Sequence, residues 1–319
     1  MRTLKILLIY FFVVLILLAV LPLIFVTISS SAQGSNNSQI KADSLVVAVI
    51  SPQGEKTKLP IEEYLVGVVA AEMPASFESE ALKAQAIAAR TFVYRNIPVP
   101  LQENGTDEED IAVSSDPARF QAYIDERERS QRWHSNKEKN EAKIRQVIQE
   151  TQGIIITKDG KAVTTPYSAI CGGQTASSAD VWGGDNSWLQ SVPCKWDKEA
   201  AKYESEVTLT LEEVSQKLSA EIKDVKKMKV ISRYKDNRIK QMAIGEKTWN
   251  GTEIRNVLGL NSTNFTWDIK GDDIFFHVQG YGHGVGLCQY GANGLAKKGY
   301  TAEKILKYYY NGIELTKAY

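Results

Sequence analysis

The sequence predicts an α+β fold on three observations. Hairpin signals follow one another along the chain, helical windows are segregated from them, and the strand-helix-strand alternation of a doubly wound parallel sheet does not recur. The hairpins centre on Asp159-Gly160, on Asp236-Asn237 and on Lys270 to Asp273, each between strand-like runs. Ser44 to Ser51 (SLVVAVIS) reads as a short buried strand. Pro60 opens a helix whose first turn holds Glu62 and Glu63, a favourable place for carboxylates against the helix dipole. Pro74 ends that helix near Met73, because the residue before a proline is pushed out of helical geometry. A second helix starts near Ser79, with Leu82, Ala86, Ala89 and Val93 on one face and enough alanine for close packing against a neighbour. Asn96 to Asp116 has loop composition. Asp116-Pro117 is then expected to cap a helix through Arg119 to Arg129, and a charged helix from about Lys137 to Gln149 stops before Gly153. Thr210 with Glu213 makes a capping box for a helix through about Glu221, and a short helix is expected at Glu253 to Leu258.

The chain of 319 residues can bury a sizeable core, more readily in two lobes than one. Lys+Arg and Asp+Glu balance at 38 each, so no global basic field argues for a nucleic-acid partner. Ile6 to Ile28 is an apolar run without a charge, long enough to cross a bilayer core as a helix. Arg2 and Lys5 precede it and a polar Ser/Gln/Asn stretch follows, which leaves the N-terminus in the cytoplasm and the rest outside. The expected organisation is a cytoplasmic tip and transmembrane anchor over 1–28, a linker over 29–43 and an extracytoplasmic domain over 44–319. A cleaved signal peptide with Ser30 and Ala32 at its cleavage site is the alternative, but the run exceeds a usual signal core.

Val68 to Arg95 (VVAAEMPASFESEALKAQAIAARTFVYR) plants one carboxylate, Glu72, in an apolar segment at a helix end. Desolvation there raises a carboxyl pKa toward the range of a general acid. Cys171 and Cys194 flank one segment, and an oxidising exterior permits them to pair as a disulfide or to stand as buried thiols. Cys288 has His283 five positions earlier, yet no local signature supports a Cys/His nucleophile. Trp182-Gly183-Gly184 and Trp188 follow the loop Cys171-Gly172-Gly173-Gln174-Thr175; such tryptophans either stack on sugar rings or plug the core under a long loop. Gln279 to Tyr300 (QGYGHGVGLCQYGANGLAKKGY) alternates glycines at 280, 282, 284 and 286 ahead of a helical segment, so backbone can approach a ligand. It matches neither a dinucleotide fingerprint nor a P-loop. His283 lies in that run, and with His277 close and His134 remote it reads as a hydrogen-bonding rather than a metal-binding histidine.

VVAAEMPASFESEALKAQAIAARTF and GYGHGVGLCQYGA together resemble the signatures of the stage II sporulation protein D family, named also for amidase enhancers. Gln121, the Gly153 segment and the Gly172-Gly173 loop fall between them in the expected order, and the resemblance covers Ser44 to the end. With its single anchor the chain resembles the shorter members more than the multidomain enhancers. The resemblance implies a peptidoglycan lytic transglycosylase, cutting between N-acetylmuramic acid and N-acetylglucosamine in glycan strands that lack stem peptides. It implies work at the mother-cell membrane during engulfment in endospore formation, with stage II sporulation proteins P and M as partners and no cofactor. Glu72 takes the catalytic role, and a transglycosylase needs only one carboxylate because the sugar's own 6-hydroxyl closes a 1,6-anhydro ring. Arg90, Gln121, Tyr167, Gly172, Gly173, His283 and Gln289 are the candidate glycan-binding residues, with a structural ion pair as the alternative for Arg90. Clostridial relatives carry a zinc pattern, H-x5-C-x4-H-C, before the glutamine matching Gln121; here those positions read Glu108, Ser114, Arg119 and Phe120, of which only Glu108 is a plausible zinc ligand, so no structural metal is expected. Many relatives have Ser where Cys288 stands, which also argues against a nucleophile. A non-catalytic glycan-binding activator of a cell-wall amidase is the rival reading.

Overall fold

A computed structural model describes residues 45–96, 111–116, 119–184 and 186–319. The expected anchor over 1–28, the linker over 29–43 and Glu108 lie outside the described residues. Among the described residues no helix is long and apolar enough to cross a membrane.

The first strand forms as β1 (Val46–Ile50), antiparallel to β2 (Lys56–Pro60) with Val46 opposite Pro60. Pro60 hands the chain to α1 (Ile61–Glu72), with Glu62 and Glu63 in the first turn and Met73 already extended ahead of Pro74. Ile61 and every residue from Tyr64 to Ala70 are buried, so α1 is a core helix rather than an amphipathic surface one. Helix α2 (Ser79–Arg95) packs on it through a run of buried alanines: Ala81, Ala84, Ala86, Ala88 and Ala89. Inside the expected loop, β3 (Ile111–Ser114) adds to β1 in parallel, Val49 opposite Val113. Its four residues are too few to show a period against acidic flanks.

The expected helix through Arg119 to Arg129 does not form as such. Instead α3 (Glu126–Trp133) begins at Asp125, whose side chain accepts from Glu128 N (2.7 Å) while Glu128 accepts from Asp125 N (2.9 Å). The preceding residues cross α1 as irregular backbone, their amides directed outward to other elements: Ile124 N to Gly67 O (3.4 Å) and Ala122 N to Glu72 Oε1 (3.1 Å). A glycine at 67 permits that crossing, since a Cβ there would collide with the Tyr123 ring and the Ile124 carbonyl. Helix α4 (Lys137–Glu150) follows, then the hairpin of β4 (Ile154–Lys158) and β5 (Lys161–Ala162). Asp159 (φ 50°) and Gly160 (φ 74°) turn it in the left-handed region that such a two-residue loop demands.

Short elements come next: β6 (Tyr167–Ser168), β7 (Gly173–Gln174), α5 (Ser178–Trp182) and β8 (Pro193–Cys194). A second core is then built from β9 (Glu204–Thr210), α6 (Leu211–Leu218), α7 (Ile222–Val225), β10 (Lys229–Arg233), β11 (Ile239–Ile244), β12 (Lys247–Asn250), α8 (Gly251–Leu258), β13 (Phe265–Lys270) and β14 (Asp273–Gln279). The Thr210–Glu213 capping box forms, but the helix stops at Leu218, where Ser219 turns left-handed. Two antiparallel sheets, β10-β11-β12 and β13-β14-β9, enclose Leu211, Val214, Ile254, Phe265, Ile274 and Phe276. Burying each of the two phenylalanines contributes about 1.5–3 kcal/mol. The chain then returns to the first core through β15 (Leu287–Cys288), α9 (Gln289–Ala296), α10 (Ala302–Tyr309) and β16 (Glu314–Lys317). β15 lies parallel to β6, and β16 pairs antiparallel with β4, Leu315 opposite Ile156. The described residues thus form an α+β fold in one compact unit with two hydrophobic cores.

Candidate active site

Glu72 is the last residue of α1, and its carboxylate is held from two sides. Oε1 accepts from Ala122 N (3.1 Å) on the crossing segment, and Oε2 accepts from Gln289 Nε2 (3.2 Å) at the start of α9. The two signature stretches therefore meet at this carboxylate, 217 residues apart in sequence. Gln289 is itself oriented by Gln85 Oε1 (3.4 Å), and Gln121 Oε1 accepts from the Tyr167 hydroxyl (2.7 Å). Burial pushes the Glu72 carboxyl above its ordinary value, against the Gln289 and Ala122 hydrogen bonds that favour the charged form. Burial, and next the Glu72 charge, raise Tyr167 well above the phenolic range, which sets both side chains in one electrostatic environment.

The carboxylate borders a cavity of about 740 Å³. Arg132 and Trp133 of α3, Asn136 just before α4, and Lys139, Asn140 and Lys143 of α4 form one wall of it. Arg132 Nη1 donates to Ala70 O (2.8 Å) and Ala71 O (3.2 Å) at the C-terminal end of α1, and Lys143 Nζ donates to Ala75 O (3.0 Å) and Phe77 O (2.5 Å). Sequence reasoning missed this wall, because basic residues on charged helices are ordinarily solvent-facing. The available signal was the spacing 136, 139, 140, 143, which puts two amides and two ammonium groups on one helical stripe.

The other expected groove residues separate. Arg90 is not in the groove: it is fully buried, with Nε to Glu62 Oε1 (3.0 Å) and Nη2 to Glu62 Oε2 (2.6 Å). Its remaining donors reach Ile154 O and Ile148 O, so the structural ion pair is the correct alternative. Gly172 and Gly173 turn their amides away from Glu72 to Asp197 Oδ2, at 2.8 and 3.4 Å. His283 lies beside a different cavity, of about 520 Å³, its ring 5.1 Å from that of Trp182. Burial, Arg255 and Arg238 lower its pKa to about 4, and its Nδ1 accepts from Val285 N (3.0 Å), so it is a neutral, positioned imidazole near pH 7. The two tryptophans divide: Trp182 is 53 % exposed, whereas Trp188 packs on the first core and donates to Thr164 O (2.8 Å).

Cys171, Cys194 and Cys288 are all free and buried, so the disulfide between Cys171 and Cys194 is not formed. Instead their sulfurs and one oxygen of Asp197 lie within 4.8 Å of one another. Cys171 Sγ donates to Asp197 Oδ2 (3.1 Å), and Cys194 Sγ contacts the Tyr309 hydroxyl (3.1 Å). Thiol hydrogen bonds from Cys171 and Cys288 pull Cys194 down to about 4, while burial pushes its two neighbours up. These four residues are the described group with the chemistry to hold a metal ion.

The sequence profile described as Stage II sporulation protein matches residues 53–157, and that of a domain of unknown function matches 186–286. The chain is 34 % identical to stage II sporulation protein D of Bacillus subtilis (strain 168) over 293 residues, 91 % of this chain and 84 % of that one. Against stage II sporulation protein D of Bacillus amyloliquefaciens it is 34 % identical over 82 % of this chain and 75 % of the relative. An amidase enhancer of Bacillus subtilis is 26 % identical over 79 % of this chain, but only 40 % of that larger protein is matched. On the extent of these matches, and with Glu72 and Gln289 of the two signature stretches in direct contact, the chain belongs to the stage II sporulation protein D family.

Proposed function

We propose that the protein is a lytic transglycosylase of peptidoglycan, cleaving the bond between N-acetylmuramic acid and N-acetylglucosamine in strands that lack stem peptides and leaving 1,6-anhydro ends. One observation carries the reading: Glu72, its pKa raised by burial, is the sole carboxylate among the described residues lining its cavity, and the charged groups beside it are Arg132, Lys139 and Lys143. Protonated Glu72 gives its proton to the glycosidic oxygen as that bond breaks. The carboxylate left behind, steadied by Ala122 N–H and the Gln289 amide, takes the proton of the sugar's 6-hydroxyl, whose oxygen closes on the anomeric carbon. The common glycoside hydrolases use a second carboxylate, as a base toward water or as a nucleophile. Removal of stem peptides leaves a free lactyl carboxylate on each muramic acid, and the three cations of the cavity wall are suited to it.

Kinship with the sporulation proteins supports a place in cell-wall remodelling during engulfment, alongside stage II sporulation proteins P and M. The apolar run Ile6 to Ile28 behind Arg2 and Lys5 supports an anchor that holds the domain outside the cytoplasm, on the mother-cell membrane at the septum. The match to an amidase enhancer favours a second reading, a non-catalytic glycan-binding activator of an amidase. Glu72→Gln separates the two. The enzyme reading expects release of anhydro product from denuded glycan to fall at least about 100-fold while glycan binding and amidase stimulation persist. Wild-type protein that releases no anhydro product by mass spectrometry would sink it.

A further inference from the structure

The chemistry around Asp197 calls for a partner that the protein does not supply. Its carboxylate is fully buried in the 3-10 turn Lys195–Asp197, and no Lys, Arg or His among the described residues forms an ion pair with it. Oδ2 accepts from the Gly172 and Gly173 amides and from thiols, but Oδ1 is buried without any hydrogen bond. A buried carboxylate left so is costly unless a cation balances it. Three thiols surround it: Cys194, three residues earlier at the end of β8, and, from two further segments, Cys171 after β6 and Cys288 at the end of β15. Three cysteines cannot all be consumed by disulfides within one chain. A metal ion uses all three.

We infer that Cys171, Cys194, Cys288 and Asp197 form a four-coordinate site for one zinc ion. Soft thiolates with one carboxylate oxygen suit zinc better than calcium or magnesium, which take oxygen ligands. A tetrahedron with Zn–S bonds of about 2.3 Å has edges of about 3.8 Å, so ligand atoms already within 4.8 Å of one another need only contract around the ion. Each thiol yields its proton to solvent as it ligates, and the resulting anionic centre has donors waiting. Cys171 N lies 3.3 Å from Cys288 Sγ, the Tyr309 hydroxyl is set against Cys194 Sγ, and the Gly172 and Gly173 amides hold Asp197. Space is kept by Gly291 on α9, where a Cβ would strike both Cys194 Sγ and the Tyr309 hydroxyl. These positions are distinct from those of the clostridial zinc pattern, of which Ser114, Arg119 and Phe120 retain no ligand.

The site fixes more than itself. Cys288 is the N-cap of α9, and the next residue, Gln289, holds Glu72. An ion on Cys288 therefore ties the start of α9 to two other segments, the one with Cys171 and the one with Cys194 and Asp197. This inference does not depend on the transglycosylase reading, and its test reads metal rather than glycan. Full-length protein purified under reducing conditions without chelator is expected to carry one zinc per chain by elemental analysis. Chelation at lowered pH should remove it with a fall in Tm. Cobalt(II) alone, added to the apoprotein, should then give the visible bands of tetrahedral coordination with thiolate charge transfer. Cys194→Ser and Asp197→Asn should each weaken cobalt binding by at least about tenfold. Absence of stoichiometric zinc together with no thiolate-cobalt spectrum in the wild-type protein would overturn the inference, whatever the variants do. So would iron in place of zinc, or a thiol titration of the denatured protein that finds one free cysteine rather than three.

Discussion

At Glu72 two opposing effects meet: burial favours the neutral acid, the Gln289 amide and Ala122 N–H favour the carboxylate, and burial wins. The sign of its pH dependence follows. A carboxyl raised above its unfolded value of about 4.3 contributes to folding fully below that value and loses the contribution as pH climbs through the folded pKa. Glu72→Gln should therefore gain stability relative to wild type as pH rises, seen in paired denaturant titrations; a difference that is flat with pH would contradict the raised value. On the proposed mechanism, activity falls over the same alkaline limb. Gln289→Leu removes a bond that favours the charged form, so its alkaline limb should move to higher pH in a pH–rate profile, and a shift downward would contradict this geometry. Glu72 was legible in the sequence because a carboxylate in an apolar run before Pro74 is conspicuous. Gln289 was expected near the site through the resemblance, but its bond to Glu72 was not legible, since an amide 217 residues away leaves no local trace.

Among elements, α1 is fixed at its two ends by different means. Its first turn is locked by Glu62, which binds Arg90 of α2 and also accepts from Gly153 N (3.2 Å) and the Tyr319 hydroxyl (2.7 Å). Removing the guanidinium leaves a largely buried carboxylate uncompensated, so Arg90→Ala is expected to destabilise the fold by about 3–5 kcal/mol in denaturant unfolding. A loss below about 1 kcal/mol would mean that the pair is replaceable by solvent. The last turn of α1 is crossed by the segment before α3, and here sequence reasoning went astray. Arg119 to Arg129 has helical composition, but the amides of Ala122 and Ile124 bond Glu72 and Gly67 instead of a helix of their own. Helices α1, α2 and α4 were readable because the prolines that bound α1, the apolar period of α2 and the glycine after α4 are local. The crossing is a tertiary event, permitted by one glycine on another element.

For the whole molecule, the decisive feature is the return of the chain. The second core occupies residues from β9 to β14, after which β15, α9, α10 and β16 complete the first. That return brings Gln289 to Glu72 and Cys288 to Cys171, Cys194 and Asp197. An α+β class with sequential hairpins could be read from spacing. The convergence of three segments on one buried cluster could not, because cysteines at 171, 194 and 288 have no metal-ligand spacing in sequence. The central claim, that one carboxylate serves a ring closure rather than a hydrolysis, is tested most directly by the fate of solvent oxygen. Denuded glycan strands digested by the wild-type protein in heavy-oxygen water should yield muramic acid ends in the 1,6-anhydro form with no heavy oxygen at the anomeric carbon. Reducing ends that carry the solvent label would contradict the account.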